Sequence, residues 1–361
     1  MSPTARPLRV AVVHSIRHFG STETYLLELL RRADRERVEW SLVIPDDLVL
    51  APLRELDGVH VVALPDDVYR TAFHATRAVR RALRAIAPDV VHALDVDPPA
   101  MLAALSLRRP LVVTHHTPEL RPPYNAVGRA LRGAGWATRP YVIFTSERDR
   151  ERFGGRRSTT IPLGIDLERF APRAGDGRVR RELGLADGTP LVGTVGLLKE
   201  QKRHDLLVSA AEVVDAAFVI VGDGPLRRSL EWQIETFGLG DRVHLLGHRD
   251  DVPAVLADLD VFALSSDYEG MCLAVAEALA VGTPVVATEV GGVPQTVVHE
   301  ETGLLVRPGD PEALANSIRR LLDDPREARR LADAGGERVR RLYPLDGMVA
   351  ATVALYERLA A

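Results

Sequence analysis

Two glutamates, Glu269 and Glu277, stand in a stretch that is otherwise almost free of charge, and Glu277 is the only charged residue from Met271 to Val281. A helix apolar on nearly all sides is a buried helix, and an ionised carboxylate is buried only with partners. Glu277 therefore either lies on a narrow solvated stripe or accepts hydrogen bonds from ligand hydroxyls, with Glu269 doing the same from the preceding loop. A second reactive loop lies upstream. Of 46 basic residues only Lys199 and Lys202 are lysines. A compact ammonium suits a point contact with phosphate where a guanidinium is bulkier; the alternative is two solvated loop residues. The third set is His92, Asp95, Asp97, His115 and His116. Its histidines are either ligand contacts or satisfied core residues. Asp95-Val96-Asp97 matches the short Asp-x-Asp pattern that holds a divalent cation on a diphosphate, although Pro98-Pro99 follow at once and the pattern is short enough to arise by chance.

Each set needs an element to position it. Val261 to Leu264 reads as a buried strand, followed by a polar loop, a helix from Met271 to Val281, Gly282, and a strand from Pro284 to Thr288. In such units ligands bind beyond the carboxyl ends of the strands. Gly270 lets the backbone come close, and the free amides of Met271, Cys272 and Leu273 face an anion. Further apolar runs begin at Leu8, Val38, Val59, Asp89, Pro110, Tyr141 and Ser158, and a second series at Leu191, Phe218, Arg242, Asp260 and Leu304. Helical patterns lie between most of them, which predicts doubly wound parallel α/β sheets. Pro172 to Gly177 reads as a linker. The expected division is 1–170, 171–344 and a closing helical segment, 345–361. Gly222-Asp223-Gly224-Pro225 follows a strand but lacks the third glycine of a dinucleotide fingerprint, and its plainer reading is a tight turn.

Glu269-Gly270, Glu277, Gly282-Thr283-Pro284-Val285-Val286-Ala287-Thr288 and Gly291-Gly292-Val293-Pro294 together resemble the signature of family-4-type retaining glycosyltransferases, the glycosyl transferases of group 1. The resemblance implies a GT-B fold, with two Rossmann-like doubly wound domains facing across a cleft. It implies a nucleotide-sugar donor held by the C-terminal domain and an acceptor site in the N-terminal one. The family's Glu-Gly-Phe-Gly is altered here at Met271 and Cys272. Gly20-Ser21-Thr22-Glu23 stands where the family has Gly-Gly-Ala-Glu; the missing second glycine weakens close approach to the donor phosphate, and Glu23 is expected to favour the positive end of its helix dipole. Leu197 replaces the family's arginine, Lys202 matches its lysine, and Lys199 is a potential substitute. Pro162-Leu163-Gly164-Ile165-Asp166 resembles the crossing between domains. By resemblance a histidine after the Pro110–Thr114 strand reaches the transferred sugar, and His116 fits the register better than His115. The implied catalytic set is His116, Glu269 and Lys202. The implied donor-binding set is Gly20, Lys199, Lys202, Glu269, Gly270, Met271, Cys272, Leu273 and Glu277.

At 361 residues the chain accommodates two domains, and 46% hydrophobic residues describe a soluble globular protein. No apolar run approaches a membrane span, no signal-peptide pattern opens the chain, and the single cysteine, Cys272, excludes an internal disulfide. A cytoplasmic enzyme is expected, with no cofactor, no metal requirement and no nucleic-acid partner. The net charge of −4 conceals 25 basic against 20 acidic residues up to 170 and 21 against 30 beyond. The basic first half allows an anionic acceptor or a weak peripheral membrane contact, best carried by Arg77, Arg80, Arg81 and Arg84; a solvated helix face is the plainer reading. The expected function is transfer of a sugar, a UDP sugar favoured, to an unidentified acceptor. A nucleotide-sugar epimerase and a non-catalytic nucleotide-sugar-binding protein are the rivals on the same architecture.

Overall fold

A computed structural model describes residues 6–14, 21–46, 53, 56–65, 67–68, 71–95, 97–116, 133 and 136–361. The chain forms two compact units, each built on one all-parallel sheet. The first contains β1 (Leu8–Val13), α1 (Ser21–Arg32), β2 (Val38–Pro45), β3 (Val59–Leu64), α2 (Ala72–Ile86), β4 (Val90–Leu94), α3 (Pro98–Ser106), β5 (Leu111–His115), β6 (Tyr141–Phe144), α4 (Glu147–Phe153) and β7 (Ser158–Thr160). Its strands are ordered β3-β2-β1-β4-β5-β6-β7. A parallel strand covered by helices on both faces reads as a continuous apolar run, and Val10 to Val13 are fully buried. Helix starts follow local chemistry. Thr71, Asp97 and Ser146 each accept a backbone amide as N-caps of α2, α3 and α4, the groups that a first helical turn leaves without partners.

The second unit contains α5 (Arg178–Glu182), β8 (Leu191–Val195), α6 (His204–Val213), β9 (Ala217–Val221), α7 (Arg227–Thr236), β10 (Val243–Gly247), α8 (Val252–Asp258), β11 (Val261–Leu264), α9 (Leu273–Val281), β12 (Val285–Thr288), α10 (Val293–Thr296), β13 (Leu304–Val306), α11 (Pro311–Asp323) and α12 (Pro325–Leu342). Its order is β10-β9-β8-β11-β12-β13. Strand order reverses between β1 and β4 in the first sheet and between β8 and β11 in the second. At these switch points adjacent connections leave on opposite faces and open a crevice past the strand ends.

The last helix, α13 (Leu345–Ala360), belongs to the first unit. Its Tyr356 is fully buried, packs edge-on to Trp40 at 6.0 Å and bonds His92 Nδ1 at 2.7 Å. The units divide after Gly164 and after Pro344, so the first boundary falls earlier than the expected 170. Backbone hydrogen bonding explains the shift: Ile165 donates to the Tyr343 carbonyl at 2.8 Å and bridges Pro344. The expected linker is also held by the second unit, because Arg173 donates to the Val281 carbonyl and the Asp258 carboxylate accepts the amides of Gly177 and Val179.

Candidate functional site

In the second unit, the loops after β8 and β11 flank the switch point and are stitched together. The Asp267 amide donates to the Gln201 carbonyl at 2.9 Å, Gln201 Nε2 to the Tyr268 carbonyl at 2.7 Å, and Ser265 Oγ to the Lys202 carbonyl at 2.9 Å. Arg203, in the left-handed region at φ 47, pairs with Asp205 and Asp267 across the loops. The loop after β12 joins them. Gly291 has φ +51, and a Cβ there would lie 1.6 Å from the Glu269 carbonyl oxygen, so only glycine fits.

This frame delivers Lys202 Nζ to 2.7 Å from Glu269 Oε1, which also accepts Ser266 Oγ at 2.6 Å. The two side chains are only 13% and 6% exposed. Burial opposes the ammonium, but attraction to Cys272 when ionised, and to Glu269, outweighs it and holds the Lys202 pKa above its ordinary value. Burial pushes the Cys272 thiol up to about 12, so the thiol is uncharged at neutral pH. The sequence reading gave Lys202 to phosphate and Glu269 to sugar; in the structure they are partners of each other, a pair that an incoming anion can compete for. Lys199 is half-buried at the start of the 3-10 turn Glu200–Lys202 and does not share that contact.

Helix α9 begins at Leu273, with Cys272 as its N-cap. The first-turn amides of α9 thus belong to Leu273, Ala274 and Val275, the last of them bonded to the Cys272 sulfur, rather than to Met271, Cys272 and Leu273. Cys272 and Met271 are buried beside that turn. Of the helix only Leu273 and Glu277 are not fully buried. Glu277 makes no hydrogen bond among the described residues; desolvation raises its pKa to about 7, opposed by Arg169. It is a half-buried carboxylate whose described electrostatic partner is Arg169. Gly222, by contrast, packs on the Gly196 carbonyl and accommodates φ +129, the tight turn rather than a dinucleotide loop.

In the first unit the strand ends carry the histidines. His115 stacks at 21° on both Trp136 and Phe144, a packing role. His116 lies beside it, 6% exposed, with neither ring nitrogen partnered among the described residues and its ring against Tyr25 at 5.0 Å. Burial drops its pKa to about 3, so it is neutral. His92 lies within β4 and is satisfied by side chains, Thr114 on Nε2 and Tyr356 on Nδ1, each at 2.7 Å. Asp95 and Asp97 diverge: Asp97 caps α3, while Asp95 Oδ1 accepts the His116 amide at 2.9 Å. Gly20 lies outside the described residues. Glu23 lies in the first turn of α1, where its expected role at the helix dipole puts it, and it is also 3% exposed and bonded to His14 Nε2 at 2.7 Å. The sequence held little signal for that pair beyond a histidine ending a buried strand. On α2, Arg77, Arg81 and Arg84 are exposed, Arg80 is half-buried, and Phe73 is 72% exposed.

Comparison with known proteins accords with this geometry. The family described as glycosyl transferases group 1 matches residues 176–338, and glycosyltransferase family 4 matches residues 22–169. The chain is 30% identical over 348 residues, 86% of its length and 88% of the relative's, to a GDP-mannose-dependent alpha-mannosyltransferase of Mycobacterium tuberculosis. It is 37% identical over 175 residues to the Escherichia coli UDP-Gal:alpha-D-GlcNAc-diphosphoundecaprenol alpha-1,3-galactosyltransferase. That match spans about half of each protein, 46% of this chain and 45% of the relative. Among solved structures, HepE of Anabaena, determined in complex with UDP, superposes with a TM-score of 0.83 over 97% of this chain and 100% of its own at 22% identity. No described helix is long and apolar enough to cross a membrane.

Proposed function

Because this chain belongs to glycosyltransferase family 4, we propose that it transfers a sugar, with retention of anomeric configuration, from a nucleotide-diphosphate sugar to a hydroxyl acceptor. The observation that carries this reading is the second unit's switch point, to which belong the Lys202–Glu269 pair, the first turn of α9 and Glu277, which makes no hydrogen bond among the described residues. Glu277 receives the ribose hydroxyls. The α9 amides and Lys202 stabilise the charge that grows on the diphosphate as the anomeric carbon–oxygen bond breaks. Glu269, released from Lys202, receives the sugar hydroxyls, and His116 acts on the transferred sugar from the first unit. A UDP sugar is the favoured donor; the relative named for UDP-galactose supports it, and the one named for GDP-mannose makes a GDP sugar the alternative.

The reaction runs without a metal in this proposal, which is supported by the separate duties of Asp95 and Asp97. The protein works in the cytoplasm, with a weak peripheral membrane contact made by α2 through Arg77, Arg81, Arg84 and Phe73. Thermal shifts with UDP, GDP, ADP and TDP sugars, followed by an assay for release of free nucleotide diphosphate in excess EDTA, test the reading. Stabilisation by one nucleotide class and EDTA-resistant turnover are expected. Turnover lost on chelation and restored by magnesium or manganese would refute metal independence, and conversion of the donor to a free sugar-nucleotide isomer would indicate an epimerase.

A further inference from the structure

Five buried rings of the first unit lie in succession, and the series ends on His116. Trp40 of β2 meets Tyr356 of α13 at 6.0 Å and 77°. Tyr356 meets His92 of β4 at 5.7 Å and bonds its Nδ1. His92 meets Tyr25 of α1 at 6.5 Å and 85°. Tyr25 in turn meets His116, just past β5, at 5.0 Å and 66°. Each spacing falls in the range, about 4.5–7 Å, over which aromatic rings attract edge to face.

The last contact of the series is the one that can set His116. An imidazole turns about a terminal torsion with broad minima, so hydrogen bonds or neighbouring rings must fix it. Neither His116 ring nitrogen has a partner among the described residues, and the bond from its amide to Asp95 Oδ1 holds only the backbone. Adjacent His115 differs, because Trp136 and Phe144 both stack on it. The Tyr25 hydroxyl lies near Thr114 and Thr352 but makes no hydrogen bond of regular geometry among the described residues, which leaves the ring as its working part.

We propose that Tyr25 is a positioning residue: its ring fixes the orientation of the His116 imidazole that acts on the transferred sugar. This rests on the role given to His116 above. Tyr25 is itself braced by His92, which Thr114 and Tyr356 hold at both nitrogens, so the packing of the closing helix reaches His116 through two rings. A catalytic group misplaced by about 1 Å loses about a hundredfold in rate. Loss of the Tyr25 ring should therefore act on turnover and leave donor binding, which the same reading gives to the second unit, in place.

The test uses the full chain, the nucleotide sugar that stabilises it most, and release of nucleotide diphosphate to water. Tyr25→Leu should lower kcat tenfold or more, while KM for the donor and the thermal shift with UDP stay within twofold of the parent. Tyr25→Phe keeps the ring and drops only the hydroxyl, so it should retain kcat within threefold. Tyr25→Met refills the volume with a flexible chain and replaces Tyr25→Leu if that variant is unstable. A second readout needs no turnover. NMR relaxation of the His116 ring, its signals assigned by their loss in His116→Gln, should show a rigid imidazole in the parent and in Tyr25→Phe and a mobile one in Tyr25→Leu. Parent kcat in a folded Tyr25→Leu or Tyr25→Met protein, an equal loss in Tyr25→Phe, or a His116 ring as rigid without the Tyr25 ring as with it would overturn the proposal. Turnover of His116→Gln at the parent rate would instead refute the role of His116 on which it stands.

Discussion

At the scale of single residues, the pair of Lys202 and Glu269 determines how the donor is met. Without donor, the 2.7 Å contact keeps the ammonium charged and aimed at the loop. Removing it by Lys202→Ala leaves Glu269 buried without its cation, a costly state, and deletes a charge-stabilising contact in the transition state. Turnover should fall a hundredfold or more, against a few-fold for Lys199→Ala, as measured by nucleotide release; equal losses would show that Lys199 shares the role. Glu277 gives a pH signature. Its carboxyl is raised to about 7 from an ordinary 4.5. A group whose folded pKa is raised binds protons more tightly when folded, so its protonated form contributes stability below pH 4.5 that is lost as pH rises through 7. Donor binding has the opposite sign, because ribose hydroxyls bind the ionised form. Affinity for UDP by calorimetry should therefore fall up to tenfold per unit as pH drops below about 7, and Glu277→Gln should abolish that slope. A slope unchanged in Glu277→Gln would remove Glu277 from the nucleotide site.

At the scale of elements, strands were the most legible part of the chain. β11 matches its apolar run, Val261 to Leu264, end for end, and the other strands start within a residue of theirs, because strands buried on both faces leave continuous runs. Helix starts were harder: α9 opens two residues later than Met271 because Met271 and Cys272 are buried without being helical. Partners far apart in the chain were not legible at all. Tyr356 Oη meets His92 Nδ1 across 264 positions, and nothing in either neighbourhood announces it. This contact makes the closing helix a support for β4 and, through Thr114, for β5, whose ends carry Asp95 and His116. Tyr356→Phe leaves a buried imidazole nitrogen unpaired, which costs about 1–3 kcal/mol. Denaturant unfolding should show a loss of that order, with UDP binding in the second unit unaffected. No loss of stability would mean that the bond is replaced by water.

At the scale of the molecule, two compact units share one chain that leaves the first at Gly164 and re-enters it at Leu345. The sequence showed two halves and a closing helix, but it set the first boundary by composition, at 170. Backbone pairing of Ile165 with Tyr343 and Pro344 decides the matter, and such pairing has no local signature. The closing helix is therefore predicted to be part of the first unit's core. It contributes buried Leu345, Met348, Val353, Leu355 and Tyr356. Truncation after Pro344 uncovers Trp40 and His92 and removes the Met348 sulfur that receives the Gly164 amide. The second unit, residues 165–344, keeps its own sheet, its core and the Lys202–Glu269 pair. Hydrogen exchange on the truncated protein should show β1, β4 and β5 losing protection by orders of magnitude, while β8, β11 and α9 remain protected and gain further protection from UDP, as ligand linkage requires. Loss of protection spread evenly over both sheets would mean that the units fold as one, and unchanged protection of β4 would mean that α13 is dispensable to the unit it closes.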